Sequence, residues 1–227
     1  MVTLSDDFND NSLDTNKWDI VSYDGWGGGT PAGSGSVAEQ NQQLEISFVD
    51  ASYLVRGIVT KNAYDLKDGS TVTARESLFP QDYHYQEIRI MANKHTDTDP
   101  IAEPDQYAIS WYWYVSESRW RLLIRRKDAD TWTTLFDQEI TKQDPAKVQI
   151  KIVGDKLQVY YDNGAGLTFA VEDTYKFSGT PVYIYLFAYA GGGTHTFTVA
   201  FDDFSLYIPE EGVEITHGKI FNPPLFT

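Results

Sequence analysis

The sequence predicts an all-β protein built as a two-sheet antiparallel sandwich. No long window keeps the 3.6-residue apolar period of a helix, whereas apolar and polar residues alternate with a period of two along most of the chain. About a dozen alternating segments follow one another at roughly even spacing, with turn residues between them. The length of 227 residues suits one large sandwich, because such domains often reach ~200–250 residues.

The strands are predicted in order along the chain, at residues 17–23, 43–49, 54–61, 70–78, 84–92, 105–117, 119–126, 131–140, 147–153, 156–163, 181–190 and 195–208. Gly154-Asp155 separates two alternating runs and predicts a two-residue hairpin turn. The polar segment Lys127–Asp130 predicts a second turn. The Gly-rich segment Gly25–Gly35 is expected to be a long surface loop, because glycine weakens strand interiors.

We divide the chain into a sandwich over residues 1–208 and an extended C-terminal tail over residues 209–227. The tail begins with a proline and carries four large apolar side chains, at Ile220, Phe221, Leu225 and Phe226. Such side chains would cost solubility in a free segment. We therefore expect the tail to dock on its own sandwich or on a neighbouring chain, which would make other subunits of an assembly a partner.

Composition excludes several classes of function. The net charge of −15 repels phosphate, so we expect neither nucleic-acid binding nor attraction to an anionic membrane. The chain has no cysteine, which removes disulfides, thiolate metal sites and a cysteine nucleophile. No apolar run approaches the ~18 residues of a membrane span. The first residues show no signal peptide, so either such a leader lies outside this sequence or an extracellular or virion-surface location would be reached by another route, such as lysis.

Four segments carry a family resemblance. DDFNDNSLDTNKWDI near the start and FDDFSLYI before the tail resemble the terminal strands of concanavalin A-like jelly-roll domains. YDLKDGSTVTAR and KVQIKIVGDKLQVYYDNGAGLTF are similar to the central strands of the same superfamily. It includes laminarinase-type β-glucanases, carbohydrate-binding relatives and laminin-G-like modules. The resemblance implies a jelly-roll sandwich, a fold that hosts enzymes, lectins and structural modules alike.

The resemblance also indicates where catalytic residues would lie. Retaining β-glucanases of this fold carry Glu-x-Asp-x-x-Glu on a concave-face strand, with two carboxylates ~5–5.5 Å apart. The matching segment here starts at Glu87, but Arg89 replaces the aspartate and Ala92 replaces the second glutamate. Alanine cannot protonate a leaving group. The sequence therefore predicts no catalytic residues and a protein that is not an enzyme.

A calcium ion is the one cofactor that the resemblance implies. Many jelly-roll relatives hold Ca²⁺ where the first and last strands meet, between acidic residues of both. The matching positions are Asp7 and Asp203, whose carboxylates are oxygen ligands of the kind that Ca²⁺ prefers. The alternative is that both are ordinary exposed strand residues.

Aromatic side chains predict a ligand-binding face. Glycan sites combine flat rings for the apolar faces of sugars with polar groups for the hydroxyls. In residues 182–190 the aliphatic set is assigned to the core and the tyrosine set to a concave groove. The expected ligand-binding residues are Trp26, Tyr85, Glu87, Arg89, Trp111, Trp113, Tyr185, Phe187 and Tyr189. The alternative is that both faces are covered, one by the opposite sheet and the other by the Gly-rich loop.

These observations favour a non-catalytic, lectin-like recognition module that binds a glycan on its concave face. The alternative is a structural protein of a virus particle, a capsid decoration or fibre component, assembled through the apolar tail. A glycoside hydrolase is the third reading, disfavoured by the missing carboxylate.

Overall fold

The computed structural model describes residues 1–77, 84–114, 119–140 and 146–210, and these form a two-sheet antiparallel β-sandwich. The strands are β1 (Val2–Asp6), β2 (Trp18–Asp24), β3 (Ala32–Gln40), β4 (Gln43–Ser52), β5 (Leu54–Thr60), β6 (Thr71–Ser77), β7 (His84–Met91), β8 (Gln106–Tyr114), β9 (Arg119–Asp128), β10 (Thr131–Glu139), β11 (Ala146–Val153), β12 (Lys156–Asp162), β13 (Thr168–Thr174), β14 (Tyr183–Ala190) and β15 (His195–Ile208). Two single 3₁₀ turns, Trp26–Gly28 and Pro100–Ala102, lie in loops.

The strands divide between a seven-stranded and an eight-stranded sheet. The seven-stranded sheet has the order β10-β9-β8-β7-β14-β5-β2, and the other has the order β13-β12-β11-β6-β15-β4-β3, with β1 paired to β15. All registered pairs are antiparallel. Strands adjacent in space are often far apart in sequence, as in the β14–β7 and β15–β6 pairs. This arrangement confirms the predicted all-β jelly-roll sandwich.

The core lies between the two sheets and follows the period-two pattern. In β11, Val148, Ile150 and Ile152 are buried and alternate with half-buried polar residues. Gly154 takes a φ of +59° between β11 and β12, as the predicted hairpin turn requires. Alternation along each strand therefore places one face of every core strand against the opposite sheet.

Among the described strands, β1, β3 and β13 were not predicted from the sequence. The prediction that Gly25–Gly35 is all loop is wrong in its second half, because β3 begins at Ala32 and pairs with β4 along the sheet edge. Gly33 has a φ of +73° at a register shift, and a Cβ there would lie 2.2 Å from the Asp50 carbonyl oxygen. Glycine therefore forms the bulge of an edge strand here instead of excluding the strand.

The last strand, β15, ends at Ile208, and the described chain ends at Glu210, which pairs with the N-terminal amino group at 3.1 Å. The apolar tail residues Ile220, Phe221, Leu225 and Phe226 lie outside the described residues. Docking of the tail stays a prediction. Within the described chain, neither 3₁₀ turn nor any other helix has the length and apolar character needed to traverse a bilayer.

Candidate ligand-binding face

The central strands of the seven-stranded sheet are buried on both of their faces. In β14, Ile184, Leu186 and Ala188 face the core between the sheets, and Tyr185, Phe187 and Tyr189 face the opposite way. The second set is also buried, with 0–4% of each residue exposed. It joins Val21, Val55, Val59 and Met91 in a separate apolar cluster. We call this side of the seven-stranded sheet the outer face. It corresponds to the predicted concave face.

Aromatic rings cross the outer face in one row. Tyr112, Tyr85 and Tyr189 lie opposite one another on β8, β7 and β14. Their rings are therefore separated by roughly the distance between neighbouring strands, ~4.8 Å. Tyr85 stacks on Tyr112 at 5.1 Å and on Tyr189 at 4.6 Å between centroids. Trp26 continues the row, edge-on to Tyr189 at 4.8 Å. We call these four residues the aromatic row.

The aromatic row is open to solvent at Tyr85 and Trp26. Both are half-buried, whereas Tyr112 and Tyr189 are 7% and 4% exposed. The Trp26 indole donates to the Ala190 carbonyl oxygen at 2.8 Å, so the tryptophan is anchored to β14. Trp26 thus borders the row from a loop, and the ring edges of Tyr85 and Trp26 remain accessible to a ligand.

Charged side chains lie beside the aromatic row, in the middle of the sheet. Glu87 and Arg89 on β7 are fully buried, with Arg89 Nε 2.5 Å from Glu87 Oε2. Ser110 donates to Glu87 Oε1 at 2.5 Å, and Arg89 Nη1 donates to the Gln106 side chain. Arg125 Nη2 on β9 lies 3.8 Å from Glu87 Oε1. We call Glu87, Arg89 and Arg125 the charged floor.

Trp132 on β10 covers the charged floor. Its ring lies 4.5 Å from the guanidinium carbon of Arg125 and 5.7 Å from that of Arg89. On its other side, Arg89 lies 4.9 Å above the ring of Phe187. At these distances the aromatic rings stabilise the two guanidinium groups by cation–π interactions, which matters because they share a single carboxylate. Trp132 is itself half-buried, so the cover is a single side chain near the rim.

Burial and charge shift the pKa values of this face. Burial is the largest single influence on the pKa of Arg125 and lowers it, but Glu87, Tyr189 and Tyr85 together outweigh burial, so the pKa of Arg125 is raised. Burial raises the pKa of Tyr189 well above its ordinary value, and Glu87 adds to the shift. At neutral pH the face therefore presents a charged guanidinium beside neutral tyrosine hydroxyls. Such groups suit hydrogen bonding to a polar ligand, not proton transfer.

The structure brings most of the predicted ligand-binding residues together, but not all. Trp26, Tyr85, Glu87, Arg89, Tyr185, Phe187 and Tyr189 lie on the outer face. Trp111 lies instead in the core between the sheets. Trp113 shares its side of β8 and contacts Trp120 at 5.3 Å. The prediction that these two tryptophans face a ligand is therefore corrected: Tyr112, on the opposite side of β8, faces outward.

The expectation that Tyr185, Phe187 and Tyr189 stand open in a groove is also corrected. Tyr185 is held beneath a loop, where its hydroxyl accepts from the His95 amide at 2.7 Å and donates to the Asn93 carbonyl oxygen at 2.9 Å. Phe187 lies under Arg89, and Tyr189 lies within the aromatic row. The alternative prediction, that both faces of these strands are covered, holds in part. Both faces of β14 are covered, but on the outer face the cover consists of residues from several loops and of long side chains.

The sequence reasoning missed Gln106, Ser110, Arg125 and Trp132. A signal for Arg125 was present, because the odd positions of β9 carry the basic residues Arg119, Arg121, Arg125 and Lys127. A row of bases at a period of two predicts one charged strand face. The position of Trp132 depends on the β9–β10 register, in which Trp132 lies opposite Lys127.

Asp7 and Asp203 lie where the first and last strands meet, around a cavity of about 400 Å³ that Asp6 and Lys17 also line. Burial raises the pKa of the neighbouring Asp202, and the charges of Asp203 and Asp7 add to the shift. Asp203 Oδ2 is 3.0 Å from Arg75 Nε, and Asp7 accepts from Asn9. Among the described residues no cluster of three or more metal-ligating side chains is found. A Ca²⁺ ion between Asp7 and Asp203 stays a prediction.

Comparison with known proteins supports the fold assignment. No family model matches the sequence, and no curated protein matches it. LamAcat of Zobellia galactanivorans is similar in structure, with a TM-score of 0.63 at 14% identity, over 90% of this chain and 96% of that one. SCLam, a non-specific endo-β-1,3(4)-glucanase of glycoside hydrolase family 16, gives a TM-score of 0.64 at 14% identity, over 89% of each chain.

A protein of glycoside hydrolase family 43 from Bacteroides ovatus gives a TM-score of 0.66 at 14% identity. The likeness covers 90% of this chain but only 39% of the larger protein, so this chain corresponds to one part of it. Together these structures show that the chain has the concanavalin A-like jelly-roll fold.

The prediction that the protein is not an enzyme is contradicted by these comparisons. The structures that share its fold are glycoside hydrolases, so the absence of a carboxylate at Ala92 does not separate the chain from that class. At 14% identity the likeness establishes the fold, and catalytic activity is not part of what it establishes.

Proposed function

We propose that the protein recognises a glycan on the outer face of its seven-stranded sheet, along the aromatic row. The observation that carries the proposal is the row itself, four rings in mutual contact with accessible edges at Tyr85 and Trp26. Aromatic rings with polar neighbours provide an apolar surface for a pyranose and hydrogen bonds for its hydroxyls.

Three further features support this proposal. The fold is shared with carbohydrate-active proteins, and the row lies on the sheet that carries Glu87, the first residue of the glucanase-like segment. The tyrosines are held by cross-strand stacking, which orders their rings before a ligand binds and so lowers the entropy cost of binding. The charged floor supplies fixed donors beside the rings. A role as a structural protein of a virus particle has no comparable support and stays a prediction.

An experiment tests the proposal by comparing one tyrosine on each sheet. A glycan array identifies the oligosaccharides that bind, and calorimetry then measures the affinity of the tightest one for the native protein, Tyr85→Ala and Tyr207→Ala. Tyr207 is a matched control, since it lies on β15 of the other sheet and is 41% exposed. Mass spectrometry of the same mixtures records whether the glycan is cleaved.

We expect Tyr85→Ala to weaken binding by about tenfold or more, as truncation of an aromatic anchor does, and Tyr207→Ala to leave it unchanged. Tyr85 is half-buried, so both variants should retain cooperative melting. Absence of binding across the array, or equal losses in the two variants, would contradict the proposal.

A further inference from the structure

Positive charge exceeds negative charge beneath Trp132. Arg89 and Arg125 are both close to Glu87, at 2.5 and 3.8 Å, so two guanidinium groups share one carboxylate. This excess is local, because the whole chain carries a net charge of −15. Burying a charge without a full partner is costly. An arrangement that keeps this cost is typical of a functional site.

The excess arises from the residues that face each other across β9 and β10. Toward one end, Arg121 is opposite Glu139 and binds Asp137 at 2.7 Å. Toward the other end, Arg125 is opposite Thr134 and Lys127 is opposite Trp132. Acidic residues thus face the bases along one half of the strand pair. In the other half a hydroxyl and a ring face them, and Lys127 pairs instead with Asp130 at 3.1 Å, which leaves Arg125 without an acidic partner on β10.

Two hydrogen-bond donors of the charged floor have no acceptor among the described residues. They are Nη2 of Arg89 and Nε of Arg125. The Arg89 side chain is fully buried, and that of Arg125 is 21% exposed. A buried donor without an acceptor costs about 1–3 kcal/mol in general, so native proteins rarely leave one unpaired. These donors mark a position for an acceptor that the described part of the chain does not supply.

We propose that the glycan bound on the outer face is anionic, and that its carboxylate or sulfate group binds Arg89 and Arg125 in the position of the Trp132 ring. This inference rests on the proposed function and names the class of ligand. A guanidinium group matches the oxygens of a carboxylate or sulfate in geometry and charge. Trp132 would be displaced by rotation of its own side chain, because it lies half-buried on the edge strand β10.

The anion would lie next to the aromatic row. Tyr189 is close enough to Arg125 to raise the pKa of its guanidinium, and the Tyr189 ring stacks on Tyr85. A sugar packed against the exposed edge of Tyr85 could therefore place an acidic substituent over Arg125. The row would bind the sugar backbone, whereas the charged floor would select its substituent.

The test uses three probes with the same sugar backbone. Galacturonic-acid oligosaccharides carry a carboxylate, their carboxyl-reduced counterparts are neutral, and sulfation of the reduced chains restores a negative charge. Calorimetry measures each probe with the native protein, Arg125→Gln and Arg121→Gln. Arg121 is the matched control, because it is a base on the same face of β9 but is paired with Asp137.

We expect at least one charged probe to bind the native protein about tenfold or more tightly than the neutral probe, the effect of one charge-assisted hydrogen bond. Arg125→Gln should remove this preference, and Arg121→Gln should keep it. The carboxylate and sulfate arms identify which anion is selected. If all three probes bind equally, the inference is overturned while the proposed function stands. If none of these probes or the array glycans binds, both are overturned.

A second pair of variants keeps the test decisive if Arg125→Gln does not fold. Trp132→Ala opens the floor and should retain or increase binding of the charged probe. Trp132→Glu places a carboxylate over the guanidinium groups and should abolish the preference by occupying the site. Loss of charged-probe binding in Trp132→Ala, together with its retention in Trp132→Glu, would overturn the inference, since the ring and not the cations would then hold the ligand.

Discussion

The outer faces of the two sheets differ in what they bury. On the eight-stranded sheet, β11 follows simple alternation, with Val148 and Ile150 buried and Lys147 and Gln149 half-buried on the solvent side. On the seven-stranded sheet, Tyr185, Phe187 and Tyr189 on the solvent side of β14 are buried nearly as completely as its core-side residues. An ordinary antiparallel sheet covers one face and hydrates the other. The seven-stranded sheet departs from that pattern.

This difference shows that the outer face of a sheet can be buried without forming a second hydrophobic core. The outer face of the seven-stranded sheet buries Glu87 and Arg89 completely, and charged groups stabilise a fold less than apolar groups of the same volume. A face that is both apolar and charged, with accessible aromatic edges, has the composition of a ligand-binding site. Each prediction below compares this face with a matched position elsewhere.

The largest expected effect is that of Glu87→Ala. Removing this carboxylate leaves the guanidinium groups of Arg89 and Arg125 buried without a counter-charge, which typically costs about 3–5 kcal/mol. Denaturant unfolding should show a lower free energy of unfolding by that amount. The control is Glu172→Ala on β13 of the other sheet, where the glutamate is exposed and accepts from Gln158 at 2.7 Å.

Glu172→Ala should change the free energy of unfolding by less than about 0.5 kcal/mol. Equal effects of the two alanine variants would show that the charged floor is hydrated and is no different from the solvent side of the other sheet.

A calcium ion at Asp7 and Asp203 would give the eight-stranded sheet a binding site as well. An ion that binds only the folded state at a hundredfold excess over its dissociation constant stabilises it by about 2.7 kcal/mol. A chelator should then lower the melting temperature, and Asp203→Ala should abolish that sensitivity. A melting curve that does not respond to the chelator would rule the ion out.

The smallest expected effects concern two aspartates whose pKa values shift in opposite directions. Hydrogen bonds from Lys61 and Lys94 lower the pKa of Asp19 on β2. Its ionised form therefore stabilises the fold at neutral pH, and this contribution is lost as the pH falls through the lowered pKa. Asp19→Asn should reduce the free energy of unfolding at neutral pH by about 0.5–1 kcal/mol, and the difference should shrink in acid.

Asp202 on β15 should behave in the opposite way. Burial raises its pKa, so the folded state disfavours the ionised form and Asp202 contributes more stability as the pH falls through the raised pKa. With a chelator present, Asp202→Asn should increase the free energy of unfolding at neutral pH by a few tenths of a kcal/mol, at about the limit for surface changes. A destabilised Asp202→Asn and an unchanged Asp19→Asn would contradict both assignments.

The sequence predicted the fold better than it predicted the site. Alternation identifies a strand without knowledge of its neighbours, and Gly154 fixes the β11–β12 hairpin by its positive φ. The edge strand β3 was missed because its glycines read as a loop. Their role depends on pairing with β4, which composition does not reveal.

The face of β8 could not be assigned because both of its sides are aromatic. Trp111 and Tyr112 are neighbours in sequence, and only the register with β7 places Trp111 toward the core and Tyr112 beside Tyr85. The contact of Trp132 with Arg125 also depends on strand pairing, because Trp132 lies opposite Lys127 and Thr134 lies opposite Arg125. Residues far apart in sequence make this site, and the pattern within one strand does not contain that information.

Hydroxyl-radical footprinting with and without a bound oligosaccharide tests the central claim most directly. It measures the solvent access of individual aromatic side chains on both sheets in one experiment. The account predicts protection of Tyr85 and Trp26, which are half-buried on the outer face, with no change at the exposed Tyr207 and Phe169 of the other sheet. Protection at Tyr207 or Phe169, with none at Tyr85 and Trp26, would contradict it.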